Sequence, residues 1–89
     1  MPFHRCAICH EDGSQVAKDV DVTLEEMERD GVVEWFGTIT VTHLASLVAG
    51  QRYRLELDDG RSGEFFVRRN TFAGGMNRAV AIHGTGPLK

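Results

Sequence analysis

The sequence predicts an all-β fold: a small antiparallel barrel of five or six strands, SH3-like or OB-like, with at most one short helical turn. Three observations carry that expectation. Apolar and polar residues alternate through Tyr53-Arg54-Leu55-Glu56-Leu57 and around Phe65 and Val67, the period of a half-buried strand. Asp-Gly occurs three times, at Asp12-Gly13, Asp30-Gly31 and Asp59-Gly60. That pair suits tight hairpins because glycine, and to a lesser degree aspartate, tolerates positive φ. The 89 residues make one domain, residues 1–89. A β-sheet this small leaves unpaired edges unless it curls into a barrel.

The first segment, Phe3 to His10, can pair with residues 15–22 through the first Asp-Gly. The second hairpin is testable by parity. With Asp30-Gly31 at the two turn positions, Val20 faces Val41, Val22 faces Ile39 and Leu24 faces Gly37. Trp35 and Val33 share that face, and Thr38, Thr40 and Thr42 fall on the other. Apolar residues thus oppose apolar residues without a slip, as a half-buried sheet requires. A rival exists for residues 24–30: Thr23-Leu24-Glu25-Glu26 has the form of a helix capping box, with Gly31 as a C-terminal cap. Only Leu24 and Met27 would line such a helix, so the strand is preferred.

The segment His43-Leu44-Ala45-Ser46-Leu47-Val48-Ala49-Gly50 reads as a connection with one helical turn. In the third hairpin a two-residue turn would set Leu55 against Glu64. A three-residue loop, Asp59-Gly60-Arg61, sets Leu57 against Gly63, Leu55 against Phe65 and Tyr53 against Val67, with a bulge beside Gly63 as the other solution. Phe66 then faces outward. Residues 70–77 read as a loop, and Arg78-Ala79-Val80-Ala81-Ile82-His83 as the last strand, with Val80 and Ile82 inward. Trp35, Tyr53, Leu55, Leu57 and Phe65 lead the expected core.

The run Tyr53-Arg54-Leu55-Glu56-Leu57-Asp58-Asp59-Gly60-Arg61-Ser62-Gly63, with Trp35-Phe36-Gly37 before it and Gly84-Thr85-Gly86-Pro87-Leu88 after it, resembles small bacterial single-domain β-barrel proteins. The resemblance covers about the last two thirds of the chain and does not include Cys6 to His10. It implies a small barrel. Its motifs are turn and core residues, so no activity is carried over.

Composition narrows the class. Hydrophobic residues are 42% and charged residues 26%, the balance of a folded domain rather than a disordered one. No apolar run approaches the roughly 18 residues of a membrane-spanning helix. The start of the chain lacks the apolar core of a secretory signal. A cytoplasmic protein with reduced thiols is therefore expected. Charge is unevenly spread: three bases stand against nine acids in residues 1–45, and seven against four in residues 46–89. Such halves can pair within the fold, between copies or with a partner, and pairing within the fold is the expectation.

Chemical signals are few. Cys6-Ala7-Ile8-Cys9-His10 has the c-type haem attachment spacing, but export to a haem-attachment compartment is not indicated and the typical small haem domain is helical. The same cysteines, with His4 and His10, form the candidate metal site, and zinc is the candidate ion. A second cysteine pair is lacking, and His43 or His83 would have to approach in space. If residues 3–10 form a strand, Cys6 and Cys9 point to opposite faces. A redox pair would need a βαβ context that is absent. Gly84-Thr85-Gly86 leads into Pro87 rather than a helix, so no phosphate loop forms. Arg52, Arg54, Phe66 and Arg68 share one outer face, an arrangement that can hold single-stranded nucleic acid. The pI of about 5.7 argues against that partner, and Glu56 and Glu64 could pair with the arginines. The expectation is a non-enzymatic binding or adaptor module acting through protein contacts, with self-association a further option. A metal site and nucleic-acid binding are the alternatives. No cofactor other than zinc and no membrane partner is expected.

Overall fold

A computed structural model describes residues 3–42, 47–74 and 77–89. Among the described residues six strands make up the fold: β1 (Phe3–Cys9), β2 (Gln15–Arg29), β3 (Val32–Thr42), β4 (Arg52–Leu57), β5 (Ser62–Gly74) and β6 (Asn77–Gly84). They form a closed barrel in the order β1-β2-β3-β6-β5-β4, and every neighbouring pair is antiparallel. Two three-strand meanders, β1–β3 and β4–β6, are joined at the β3–β6 and β1–β4 seams. The all-β barrel of five or six strands is thus realised with six, and its closure departs from the five-stranded, partly open OB form. No helix among the described residues is long and apolar enough to cross a membrane.

The core is the inward set of every strand. Trp35, Tyr53 and Phe65 are its largest members, joined by Ile8, Val22, Ile39, Leu55, Val67, Val80 and Ile82. β4 alternates without a fault, exposed arginines and glutamate between buried Tyr53, Leu55 and Leu57. The Trp35 and Phe65 rings meet edge-on with centroids 6.5 Å apart, and Tyr53 lies 6.0 Å from Phe65 on the other side. Trp35 Nε1 donates to the Gly86 carbonyl at 2.7 Å, so the C-terminal segment is folded over the indole. Lys89 exchanges two backbone hydrogen bonds with Ser62, and Leu88 packs against the core.

The second hairpin follows its expected register: Arg29 opposes Val32, Leu24 opposes Gly37 and Val22 opposes Ile39. Asp30 and Gly31 both have positive φ, 53° and 79°, as a type I′ turn requires. Residues 24–30 are strand up to Arg29, with no helix. Beyond Trp35, however, the hairpin leaves the barrel. β1 pairs with β2 only up to Thr23, and β6 pairs with β3 only from Phe36. Residues 25–34 therefore form a two-stranded arm, which accounts for one molecular dimension of 40 Å against 26 and 25 Å. Val33 shares a face with Trp35 but is 54% exposed, because no other described strand covers the ribbon at that point.

The third hairpin corrects the expected register. Tyr53 opposes Phe65 and Leu55 opposes Gly63; they were expected to oppose Val67 and Phe65. The loop is Asp58-Asp59-Gly60, closed by Leu57 N donating to Arg61 O and Gly60 N to Leu57 O. Gly60, at φ 95°, supplies the left-handed residue that ends a three-residue loop. A two-residue slip preserves the period of two, so the inward set is unchanged. Gly63 carries no bulge. It lies under Trp35, and a Cβ there would come 3.0 Å from the indole. Residues 70–74 continue β5 rather than forming a loop. Of the helical turn expected within 43–50, residues 43–46 lie outside the described set, and residues 47–50 form no helix.

Candidate binding face on the barrel wall

The residues singled out as a metal site do not converge. β1 pairs with β4 in unbroken register, Cys6 opposite Leu57 and Cys9 opposite Arg54. Alternation then places the two cysteines on opposite faces. Cys6 belongs to the core cluster and Cys9 does not, although both are buried. Burial, reinforced by the Asp21 and Asp58 carboxylates, pushes the Cys6 thiol up to about 12, the reverse of what a thiolate ligand needs. His4 Nδ1 lies 3.4 Å from Asp58 Oδ1, and the His10 ring rests 5.5 Å from Tyr53. No three His, Cys, Asp or Glu side chains group together among the described residues. His43 lies outside them, and His83 is on a different wall of the barrel.

The outer face of the third hairpin is more organised than its sequence suggested. β-sheet pairing lines up one residue from each of five strands: Glu25, Phe36, His83, Phe66 and Arg52 are successive cross-strand partners. Directly opposed side chains in a sheet are close enough to interact. The Phe66 and His83 rings stack, with centroids 5.7 Å apart and planes 15° from parallel. Phe36 flanks the other side of His83 at 6.4 Å and 33°. Each ring is only partly buried. A Phe-His-Phe ladder therefore runs along the outside of β3, β6 and β5, with a carboxylate at one end and a guanidinium at the other.

The arginines border this ladder. Arg54 is exposed one row away and donates to Ser62 Oγ at 3.2 Å. β5 carries a bulge between Val67 and Arg69, where Val67 opposes Ile82 and Arg69 opposes Ala81. The extra residue is Arg68. It breaks the alternation, so that Arg68 and Arg69 are both exposed, where strict period two would turn Arg69 inward. Arg68 also lines a groove with Phe36, Thr38, Gly37 and Ala81. The floor of that groove is low because alanine and threonine stand beside the phenylalanine.

Intramolecular pairing of the two charged halves is sparse. Arg61 joins Glu26 at 3.3 Å, and that is the one ion pair between an acid of residues 1–45 and an arginine of residues 46–89 among the described residues. Arg5–Asp21 and Arg61–Asp59 stay within a half. Arg54 and Glu64 are cross-strand partners, yet they form no ion pair. The expectation that the fold neutralises its own charges is thus only slightly met.

The structure brings Arg52, Arg54, Phe66 and Arg68 to one outer wall, as their spacing predicted. It adds Phe36, His83 and Arg69. The period of two already pointed Phe36 and His83 outward, but neither register nor strand neighbours can be read from alternation. Compared with protein-family models, with curated proteins and with solved structures, the chain matches none of them.

Proposed function

We propose that the domain is a non-enzymatic binding module whose working surface is the Phe36-His83-Phe66 ladder with its bordering arginines. The partner is a protein segment that carries carboxylates and at least one apolar or aromatic side chain. One observation carries the reading: three outward rings are aligned on neighbouring strands beside Arg52, Arg54 and Arg68, and these arginines have no ion-pair partner among the described residues. Aromatic and arginine side chains are the groups most enriched at protein interfaces. The rings supply apolar area at little entropic cost, and unpaired guanidinium groups take carboxylates in two-pronged hydrogen bonds.

The test is a titration with an acidic decapeptide containing phenylalanine, followed by two-dimensional NMR. The ring resonances of Phe36, His83 and Phe66 should move together, and Arg52→Ala with Phe66→Ala should abolish the response. A peptide that leaves those resonances unmoved, or shifts an unrelated surface, would end the reading.

A second reading rests on the stacked pair itself. Phe66 on His83, flanked by arginine, is also a platform for unpaired bases. The acids Glu25 and Glu64 lie in or beside the same rows and oppose a polyanion, so protein is favoured. Oligo-dT in the same titration separates the two: binding tighter than the peptide's, falling steeply with salt, would select the nucleic acid.

A further inference from the structure

The arm is the least explained part of the molecule. Two-stranded ribbons are marginal when isolated, and this one exposes Met27 at 44%, Val32 at 61% and Val33 at 54%. It also bears Glu25, Glu26, Glu28, Asp30 and Glu34 against a single base, Arg29. Of these acids only Glu26 is ion-paired among the described residues, through Arg61. On the opposite half of the same chain, Arg52, Arg54, Arg68 and Arg69 are equally without ion pairs among the described residues. An acidic ribbon with an apolar tip and an arginine-bordered aromatic wall are complementary in charge and in surface type, and one chain carries both.

We propose that the arm of one copy docks on the Phe36-His83-Phe66 wall of a second copy, and that the exchange is reciprocal. The proposal rests on the binding-face reading above and names a second copy of this chain as a partner. Two distinct patches on one chain can join head to tail, as a ring or an open filament, or can be satisfied twice about a two-fold axis, and the two-fold arrangement closes with two copies. In the closed dimer one face of the ribbon, Met27 with Val32 or the reverse face with Val33, leaves water against Phe66 and Phe36. The carboxylate on that face, Glu34 beside Met27 or Glu28 beside Val33, meets Arg52, Arg54 and Arg68.

Sedimentation velocity on the full chain tests this. The wild type should form a dimer and no larger species, and high salt should weaken it. Glu28→Arg with Glu34→Arg changes one residue on each face of the ribbon, so the result does not depend on which face leads. That variant, and separately Arg52→Glu with Arg54→Glu, should each weaken the dimer by about tenfold or more, the scale of one lost charge pair. Mixing the two variants should restore a one-to-one heterodimer, which also shows that both are folded. Val32→Thr with Val33→Thr keeps strand propensity and charge and should weaken the dimer as well. A monomeric wild type, or a dimer indifferent to both charge reversals, would overturn the proposal. In that event the acidic-peptide titration still decides the binding-face reading by itself.

Discussion

Trp35 shows how much of this fold one side chain organises. Its ring packs on Phe65, its N–H holds Gly86, and it lies against glycines at 63 and 84. A Cβ at Gly84 would collide with the indole Cε2 and Nε1, closer than any relaxed contact. Gly84→Ala should therefore cost about 3 kcal/mol, at or above the usual range for overpacking, read as a lowered urea midpoint; an unchanged midpoint would show that the indole can move aside. Cys6 offers a second test at this scale. Its thiol is raised from 9.0 to about 12 by burial first and the two aspartates second. The unfolded chain releases that proton above about pH 9 while the folded chain keeps it, so stability falls as pH rises from 9 towards 12. Urea unfolding of Cys6→Ala should show a shallower loss across that window than the wild type. At neutral pH the native thiol should resist alkylation and react only once the barrel opens.

At the scale of elements, one dipeptide makes two different turns. In His10-Glu11-Asp12-Gly13-Ser14 and Leu57-Asp58-Asp59-Gly60-Arg61 the loop has three residues, closed by the same pair of backbone bonds. In both, the central aspartate accepts from the amide two residues on, Asp12 from Ser14 and Asp59 from Arg61. Those contacts, with the Ser14 hydroxyl and the Arg61 side chain, hold both carboxyls below their usual range. Asp30-Gly31 instead makes a two-residue turn, with both residues at positive φ and Arg29 opposite Val32. Gly60→Ala forces a side chain into a left-handed conformation and should cost about 1 kcal/mol, measured by denaturant unfolding. The arm obeys a different rule, since it buries little. Replacing residues 27–34 by Asn-Gly, which joins the Glu26–Trp35 pair directly, should leave the urea midpoint nearly unchanged at concentrations where the chain is monomeric. A large drop would mean that the ribbon supports the barrel.

The whole molecule is two meanders closed by two non-local seams. β1 meets β4 and β3 meets β6, so closure must bring together segments distant in sequence. Topologies of this kind fold on a timescale of milliseconds to seconds. Stopped-flow refolding followed by Trp35 fluorescence should show that range, and a microsecond phase carrying the full amplitude would contradict it. Closure also explains the arm: β2 and β3 run longer than the barrel is tall, and the excess can pair only with itself. Hydrogen exchange in the monomer should accordingly be fast for amides of residues 25–34 and slow for β3 from Phe36 to Val41.

Much of this was written in the sequence. The period of two named the inward set, including Trp35, Tyr53, Leu55 and Phe65, because a pleated strand can bury only one face. Asp-Gly marked three corners because few residues accept positive φ. Alternation likewise put Phe66 outside with Arg52 and Arg54. Tertiary structure alone decided which strands are neighbours, since alternation is blind to a slip of two residues, as the β4–β5 register shows. It alone aligned Phe36, His83 and Phe66 in one ladder, turned Arg68 and Arg69 out together through a bulge, and left the arm beyond the barrel. Those outcomes depend on hydrogen bonds between residues far apart in the chain, and no local pattern encodes them.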